Sequence, residues 1–205
     1  MKYNRLVAFG CSRTYGHGLR DCYTGKDNKE PGTVSSKYAW PSIVSSLLGI
    51  NCLNLSTPGS SNKRITYTII NSSLKKGDIV FVNWTDIDRS CIIKDNKITD
   101  IGPWMNDKES KYFFKISNDA DLLFESNLYL RLIFLHLNDL GITNFHTISH
   151  PENFIVDNKN RRLVLNTSIE ESKKNFPLAI DQLHPGEEAH AHFAQEIYRE
   201  IKDRI

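Results

Sequence analysis

Short apolar runs alternate with stretches of helical periodicity along most of this chain, and that alternation restricts the available folds more than any other feature. Arg5-Leu-Val-Ala-Phe-Gly10, Asn51-Cys-Leu-Asn-Leu-Ser56, Asp78-Ile-Val-Phe-Val-Asn-Trp84 and Asn144-Phe-His-Thr-Ile-Ser149 are each a strand's length and end in small or polar residues. Strands of a parallel sheet covered on both faces read this way. Between and after them lie helical stretches. Trp40 to Leu48 places Ile43, Leu47 and Leu48 near one face and stops at Gly49, while Asn62 to Leu74 spaces Ile65, Ile69 and Ile70 before Gly77. Leu122 to Leu140 has the densest apolar content and stops at Gly141; Glu187 to Lys202 carries Phe193, Ile197 and Ile201 at a four-residue repeat. Glycine just past a periodic segment is a helix stop. Strand, helix, strand in succession requires crossover connections, so the expected architecture is one three-layer α/β/α sandwich around a mostly parallel sheet.

Size and charge agree with this and exclude much else. The 205 residues, 40% hydrophobic and 24% charged, suit one core and a single domain over 1–205. Lys+Arg 26 against Asp+Glu 24 leaves a net charge of +2, too balanced for the backbone attraction that nucleic-acid binders exploit. The apolar run near Leu128 to Leu140 is broken by Arg131, His136, Asn138 and Asp139, so no membrane span is expected. The first ten residues lack the apolar core and cleavage site of an export signal, and Cys11, Cys22, Cys52 and Cys91 form no Cys-x-x-Cys pair. A cytoplasmic protein with reduced thiols is the expectation. Arg20 to Lys37 and Arg89 to Asn118 do not fit the alternation and read as polar insertions, a length usual for functional or mobile loops.

Ligands of an open parallel sheet bind beyond the carboxyl ends of its strands. The segments there are Phe9-Gly-Cys-Ser-Arg-Thr-Tyr-Gly16, Asn54-Leu-Ser-Thr-Pro-Gly-Ser-Ser-Asn62 and Asn83-Trp-Thr-Asp86, joined near the C-terminus by Asp181-Gln-Leu-His184-Pro-Gly186. A serine hydroxyl becomes a useful nucleophile when an imidazole removes its proton and a carboxylate fixes that imidazole's tautomer. Ser12 follows a glycine that permits a tight strand-to-helix turn, and Asp181 and His184 are spaced to project to one side of a turn entering a helix. Backbone N–H groups at the start of a helix after Ser12, and one at Gly59, would face a developing oxyanion.

Gly10-Cys-Ser12, the segment from Asn54 to Gly59 and Asp181-x-x-His184 resemble blocks I, II and V of the SGNH (GDSL) hydrolase family, in the family's order. The longer pattern Phe-Gly-Cys-Ser-x-Thr-x-Gly, with Pro-Gly-Ser-Ser-Asn and Trp-Thr, is similar to a phage and bacterial branch of it. The resemblance implies a flavodoxin-like central sheet, Ser12 as nucleophile, His184 as general base, Asp181 as its orienting acid, and the amides of Ser12 and Gly59 as oxyanion-hole donors. It also implies a serine esterase or deacylase acting on a small-molecule or glycan acyl ester (a carbohydrate O-acyl group, a short lipid or a thioester), with no cofactor or metal. Two positions depart from the family. Cys11 stands where Asp is usual. In the third block Thr85 occupies the place of the oxyanion-binding Asn and Asn83 that of Gly, leaving Thr85, Asn62 or Asn83 as substitute donors.

Other readings use the same residues. A binding module for a glycan or lipid, weakened by the missing block III Asn, is the alternative; a phosphate binder is disfavoured because the loop after the first strand has too few glycines. His184, His190 and His192 invite a metal cluster, but residues two apart on a helix diverge, so His190 and His192 read as surface histidines. Cys11 as a thiol nucleophile is disfavoured by strand alternation. Trp84, Trp104, Phe113 and Phe114 suit either a pocket lining or plain packing. Nothing in the sequence specifies the oligomeric state.

Overall fold

The structure, a computed structural model, describes residues 3–22, 34–95 and 97–205. Most of the first expected insertion therefore lies outside the described residues. Six strands occur among them: β1 (Arg5–Phe9), β2 (Asn51–Asn54), β3 (Asp78–Trp84), β4 (Ser90–Lys94), β5 (Lys97–Ile101) and β6 (Thr143–Ile148). The helices are α1 (Ser12–Tyr15), α2 (Trp40–Leu48), α3 (Asn62–Ile70), α4 (Lys108–Ile116), α5 (Asp119–Asp139), α6 (Ile169–Asn175) and α7 (Glu187–Ile201).

Four strands form one sheet in the order β2-β1-β3-β6, every neighbour parallel. Arg5 lies opposite both Asn51 and Asp78, and Phe81 opposite Phe145. All seven residues of β3 are buried, as a central strand covered on both faces requires. Alternation then divides the core. Val7, Phe9, Val80, Val82 and Trp84 face α3 and α5, meeting Ile65, Ile69, Leu130, Ile133 and Phe134. Leu6, Ala8, Ile79 and Phe81 face the other way, meeting Trp40 and Val44 of α2, Ile169 of α6, and Phe193 and Ile197 of α7. Each of the Val, Leu, Ile and Phe side chains contributes about 1.5–3 kcal/mol by leaving water. The three-layer α/β/α sandwich expected from the alternation is the observed fold.

The chain passes from β1 to β2 on one side, then crosses back to β3 on the other, so the strand order reverses between β1 and β3. That reversal opens a crevice at the carboxyl ends of β1 and β3, the usual ligand position in such sheets.

The structure departs from the sequence expectation at two places. The segment Arg89 to Asn118 is not a plain loop: it holds the antiparallel β4–β5 pair and α4. His190 is not on the surface. It is fully buried, and its Nδ1 accepts the Trp40 backbone N–H at 3.2 Å. Helix α5 spans the apolar stretch expected from sequence, but its outward face leaves Phe124, Leu128 and Leu135 exposed. No helix among the described residues is long and apolar enough to cross a membrane.

Candidate active site

Ser12 opens α1, a four-residue helix separated from the end of β1 by Gly10 and Cys11 alone, which closes on Gly16 in the left-handed region at φ 82°. Space decides the sequence here. A Cβ on Gly10 would stand 2.2 Å from Thr14 Oγ1 and 3.3 Å from Asn83 Cβ, so only glycine lets the chain turn this tightly from strand to helix. Ser12 sits 7% exposed at the sheet's carboxyl edge. Asn54, at the end of β2, ties the neighbouring loop to this turn: its Nδ2 donates to Thr14 O at 2.7 Å while its Oδ1 accepts from Ser56 N–H.

Asp181 and His184 approach from the segment before α7. The main-chain N–H groups of Leu183 and His184 both donate to Asp181 Oδ1 at 3.0 Å, which fixes one carboxylate oxygen and leaves Oδ2 facing the imidazole. His184 Nδ1 lies 2.5 Å from Asp181 Oδ2, and His184 Nε2 lies 3.0 Å from Ser12 Oγ. The backbone strains to achieve this: Gln182, between the two, has φ 59°, a region costly for a non-glycine residue. Gly18 (φ 90°) lets the loop after α1 lie directly against this turn, since a Cβ there would meet Asp181 Oδ2 at 2.8 Å. Gly186, at the N-cap of α7, is equally confined, its absent Cβ lying 2.4 Å from Pro177 O.

Burial and charge set the protonation states. Burial pushes the Asp181 carboxyl up, but the N–H groups of His184 and Leu183 and the His184 ring outweigh it, so it titrates below the ordinary carboxylate range. Burial also pushes His184 down. Asp181 opposes that shift, Arg13 and Lys173 add to it, and the imidazole ends below its usual value. A neutral imidazole between a carboxylate and a hydroxyl can accept the hydroxyl proton as the oxygen attacks an electrophile.

Positive and negative groups surround the Ser12 turn. Arg13 donates from Nη1 to Ser149 Oγ at 3.3 Å, meets Glu170 Oε1 at 2.5 Å, and lies 3.6 Å from Asp86 Oδ2. Asp86 also holds Arg89 at 2.5 Å and His150 at 3.1 Å. Arg89 in turn packs over the ring of Trp104, whose Cζ2 is 3.6 Å from where a Gly59 Cβ would stand. The second insertion is thereby anchored beside the strand-end crevice.

The remaining sequence candidates divide. Gly59 sits in a left-handed turn at φ 79°, and neither its N–H nor that of Ser12 is engaged in a hydrogen bond among the described residues. Asn62 turns inward instead: its Nδ2 donates to Thr85 O and Ser126 Oγ, and its Oδ1 accepts from Thr85 N–H. Its two amide hydrogens are thus occupied, one by the carbonyl just after β3 and the other by Ser126 of α5, so it is not a free donor. Thr85 is fully buried, and its Oγ1 has no hydrogen-bond partner among the described residues. Trp84 belongs to the core, donating from Nε1 to His146, whereas Trp104 is 55% exposed. Cys11 is buried.

Arg13, His17, Gly18 and Asn54 were not singled out by sequence reasoning. Each works through a partner far along the chain, and only Asn54, in a small-residue strand ending, carried a local sign. His17 packs edge-on to His184 with ring centroids 4.8 Å apart. Burial, and then His184 itself, push its titration down against the pull of Asp181. Among the described residues, His17, Asp181 and His184 are the cluster able to hold a metal ion, their candidate ligand atoms all within 4.8 Å of one another.

No family model and no curated protein matches the chain. Solved structures do. A protein described as a putative lipolytic protein of the G-D-S-L family from Desulfitobacterium hafniense shares 12% identity at a TM-score of 0.55, over 96% of this chain and 99% of that one. An acetyl xylan esterase from Geobacillus stearothermophilus shares 17% at 0.54, over 100% and 99%. A psychrotrophic esterase from Pseudoalteromonas shares 10% at 0.54, over 98% and 97%. At these identities the likeness is one of fold, and it extends over nearly the whole of each chain.

Proposed function

We propose that the protein is a serine hydrolase of the SGNH type that cleaves acyl esters through an acyl-enzyme. One observation carries this reading: Asp181, His184 and Ser12, drawn from opposite ends of the sequence, form a continuous chain of contacts at 2.5 and 3.0 Å. Ser12 Oγ attacks the ester carbonyl as His184 Nε2 takes its proton. Asp181 holds the Nδ1–H tautomer and stabilises the imidazolium. The tetrahedral oxygen is held by the N–H groups of Ser12 and Gly59, neither of which is engaged in a hydrogen bond among the described residues. His184 then protonates the departing alcohol, activates a water, and the acyl group leaves as the acid.

Asn62 is tied to Thr85, so beside the two main-chain donors the side-chain amide left for the hole is that of Asn83, which is buried and whose Nδ2 has no hydrogen-bond partner among the described residues. Loss of one donor costs about 10²–10³-fold in kcat, so a hole resting on the two main-chain donors alone would turn over correspondingly slowly. The substrates that suit the reading are small acyl esters of a sugar, an alcohol or a thiol. The structural neighbours, described as esterases and lipases, support ester hydrolysis in general.

The deciding experiment compares wild type with Ser12→Ala on 4-nitrophenyl acetate, an acetylated sugar and a short thioester. Wild type should turn over at least one and Ser12→Ala none above background. A Ser12→Ala protein with full activity would remove the assignment. A folded wild type that neither hydrolyses these esters nor reacts with a fluorophosphonate would favour the binding-module alternative.

A further inference from the structure

We propose that His17, Asp181 and His184 form a binding site for a divalent transition-metal ion of the Zn²⁺ class, occupied in competition with the contact between His184 and Ser12. The effect on activity rests on the esterase reading; the binding itself does not. Two imidazoles and one carboxylate are a donor set that zinc takes in open three-ligand sites, with the fourth position left to water. Bonds of about 2.0–2.2 Å in a tetrahedron put ligand atoms about 3.3–3.5 Å apart. Here they already lie within 4.8 Å of one another, so the site closes by small side-chain rotations.

The backbone supports the same grouping independently. His17 lies between two left-handed glycines, Gly16 and Gly18, and its N–H donates to Ser12 O at 3.0 Å, which ties the turn to the Ser12 helix. On its other side Gly18 permits direct contact with the Asp181 carboxylate. Asp181 Oδ1 is held by two main-chain N–H groups, leaving Oδ2 as the oxygen turned toward the rings. All three side chains are partly exposed, so an ion can enter from solvent. Arg13 and Lys173 act on His184 as like charges would on a cation. Their charge opposes any cation, so the ion is held by its bonds to the two imidazoles, which disfavours Mg²⁺ or Ca²⁺ and selects ions with strong nitrogen affinity.

Coordination through His184 Nε2 removes the acceptor that Ser12 needs. Coordination through Nδ1 displaces the Asp181 contact and moves the ring's single proton to Nε2. By either nitrogen the base is lost while the ion stays, and returns when the ion leaves.

The test is titration calorimetry of Zn²⁺ into Ser12→Ala protein, which lacks the hydroxyl but keeps the three ligands. One ion per chain is expected, with no heat from Mg²⁺. His17→Phe in the same background keeps a ring against His184 but removes a ligand. Loss of an outer-shell partner alone costs about 10–100-fold in metal affinity, so this variant should weaken binding by at least about tenfold. His17→Gln, checked for folding by thermal melt, should do the same. In protein carrying Ser12, zinc should suppress ester turnover, a chelator should restore it, and His17→Phe should need at least about tenfold more zinc. The proposal is overturned if Ser12→Ala protein takes up no zinc at millimolar concentration, or if both His17 variants bind it as tightly as their parent. Calorimetry reads no turnover, so failure of the esterase reading leaves this result interpretable.

Discussion

Two histidines of this molecule each bridge a pair of side chains, yet their surroundings make them opposites. His146, in the middle of β6 and fully buried, accepts from Trp84 Nε1 at its Nδ1 and lies 2.9 Å from Asn144 Oδ1 at its Nε2. That arrangement requires the neutral Nε2–H tautomer. His184 carries the reverse one, with Nδ1 toward Asp181 and Nε2 toward Ser12. With only neutral partners and complete burial, His146 titrates at about 3. His184 has a carboxylate in contact and an edge toward solvent, so its downward shift is checked. A histidine flanked by amide and indole is a packing element; one flanked by carboxylate and hydroxyl is available for proton transfer.

Four measurements would break or sharpen that contrast. The largest effect is expected from Asp181→Asn, which keeps the shape but reverses the tautomer preference of His184. By analogy with other triads, kcat should fall by about 10⁴-fold with little change in melting temperature; a loss below tenfold would mean that Asp181 does not orient the ring.

Next comes acid. His146 and His190 both titrate at about 3 in the fold against about 6.5 when unfolded. Between those values the unfolded chain binds more protons than the native one, so stability falls as pH falls. From pH 6.5 to 4.5 the two together should cost about 4–5 kcal/mol, read as a lowered urea midpoint. A flat profile over that interval would contradict the buried neutral state.

A smaller loss, about 1–3 kcal/mol, is expected for His146→Leu, which leaves the Trp84 indole N–H and Asn144 without their partner. The surviving folded protein should keep its kcat, unlike any substitution of His184. The smallest effect concerns the acid limb of kcat/KM, measured with a chelator present. It should have its midpoint below the ordinary imidazole value of about 6.5, because the net shift of His184 is downward. A midpoint above it would show the carboxylate winning over burial.

The four core strands were legible because burial on both faces leaves an unbroken apolar run, and most of the longer helices because glycine follows their apolar stripes. The β4–β5 pair was missed. Ser90-Cys-Ile-Ile-Lys94 and Lys97-Ile-Thr-Asp-Ile101 carry too little alternation for a pair that lies outside the main sheet. For His190 a sign was available: it shares the helical spacing of Ala194, Ile197 and Ile201, all buried, and so belongs to the inner face of α7. The Ser12, Asp181 and His184 candidates were readable from motif order. The inward turn of Asn62 and the contacts of His17 and Arg13 were not, because each depends on a partner that only tertiary folding supplies.

Ser12 and His184 are 172 positions apart in sequence, and this separation bears on how the protein acquires its competence. Closing so long a span carries an entropic cost that the packing of α7 against the sheet, α2 and α6 helps to offset. Contacts of such range form late relative to local helices. A refolding chain would thus regain its helical spectrum before its chemistry, and recovered turnover would mark the moment when the two ends of the chain have met.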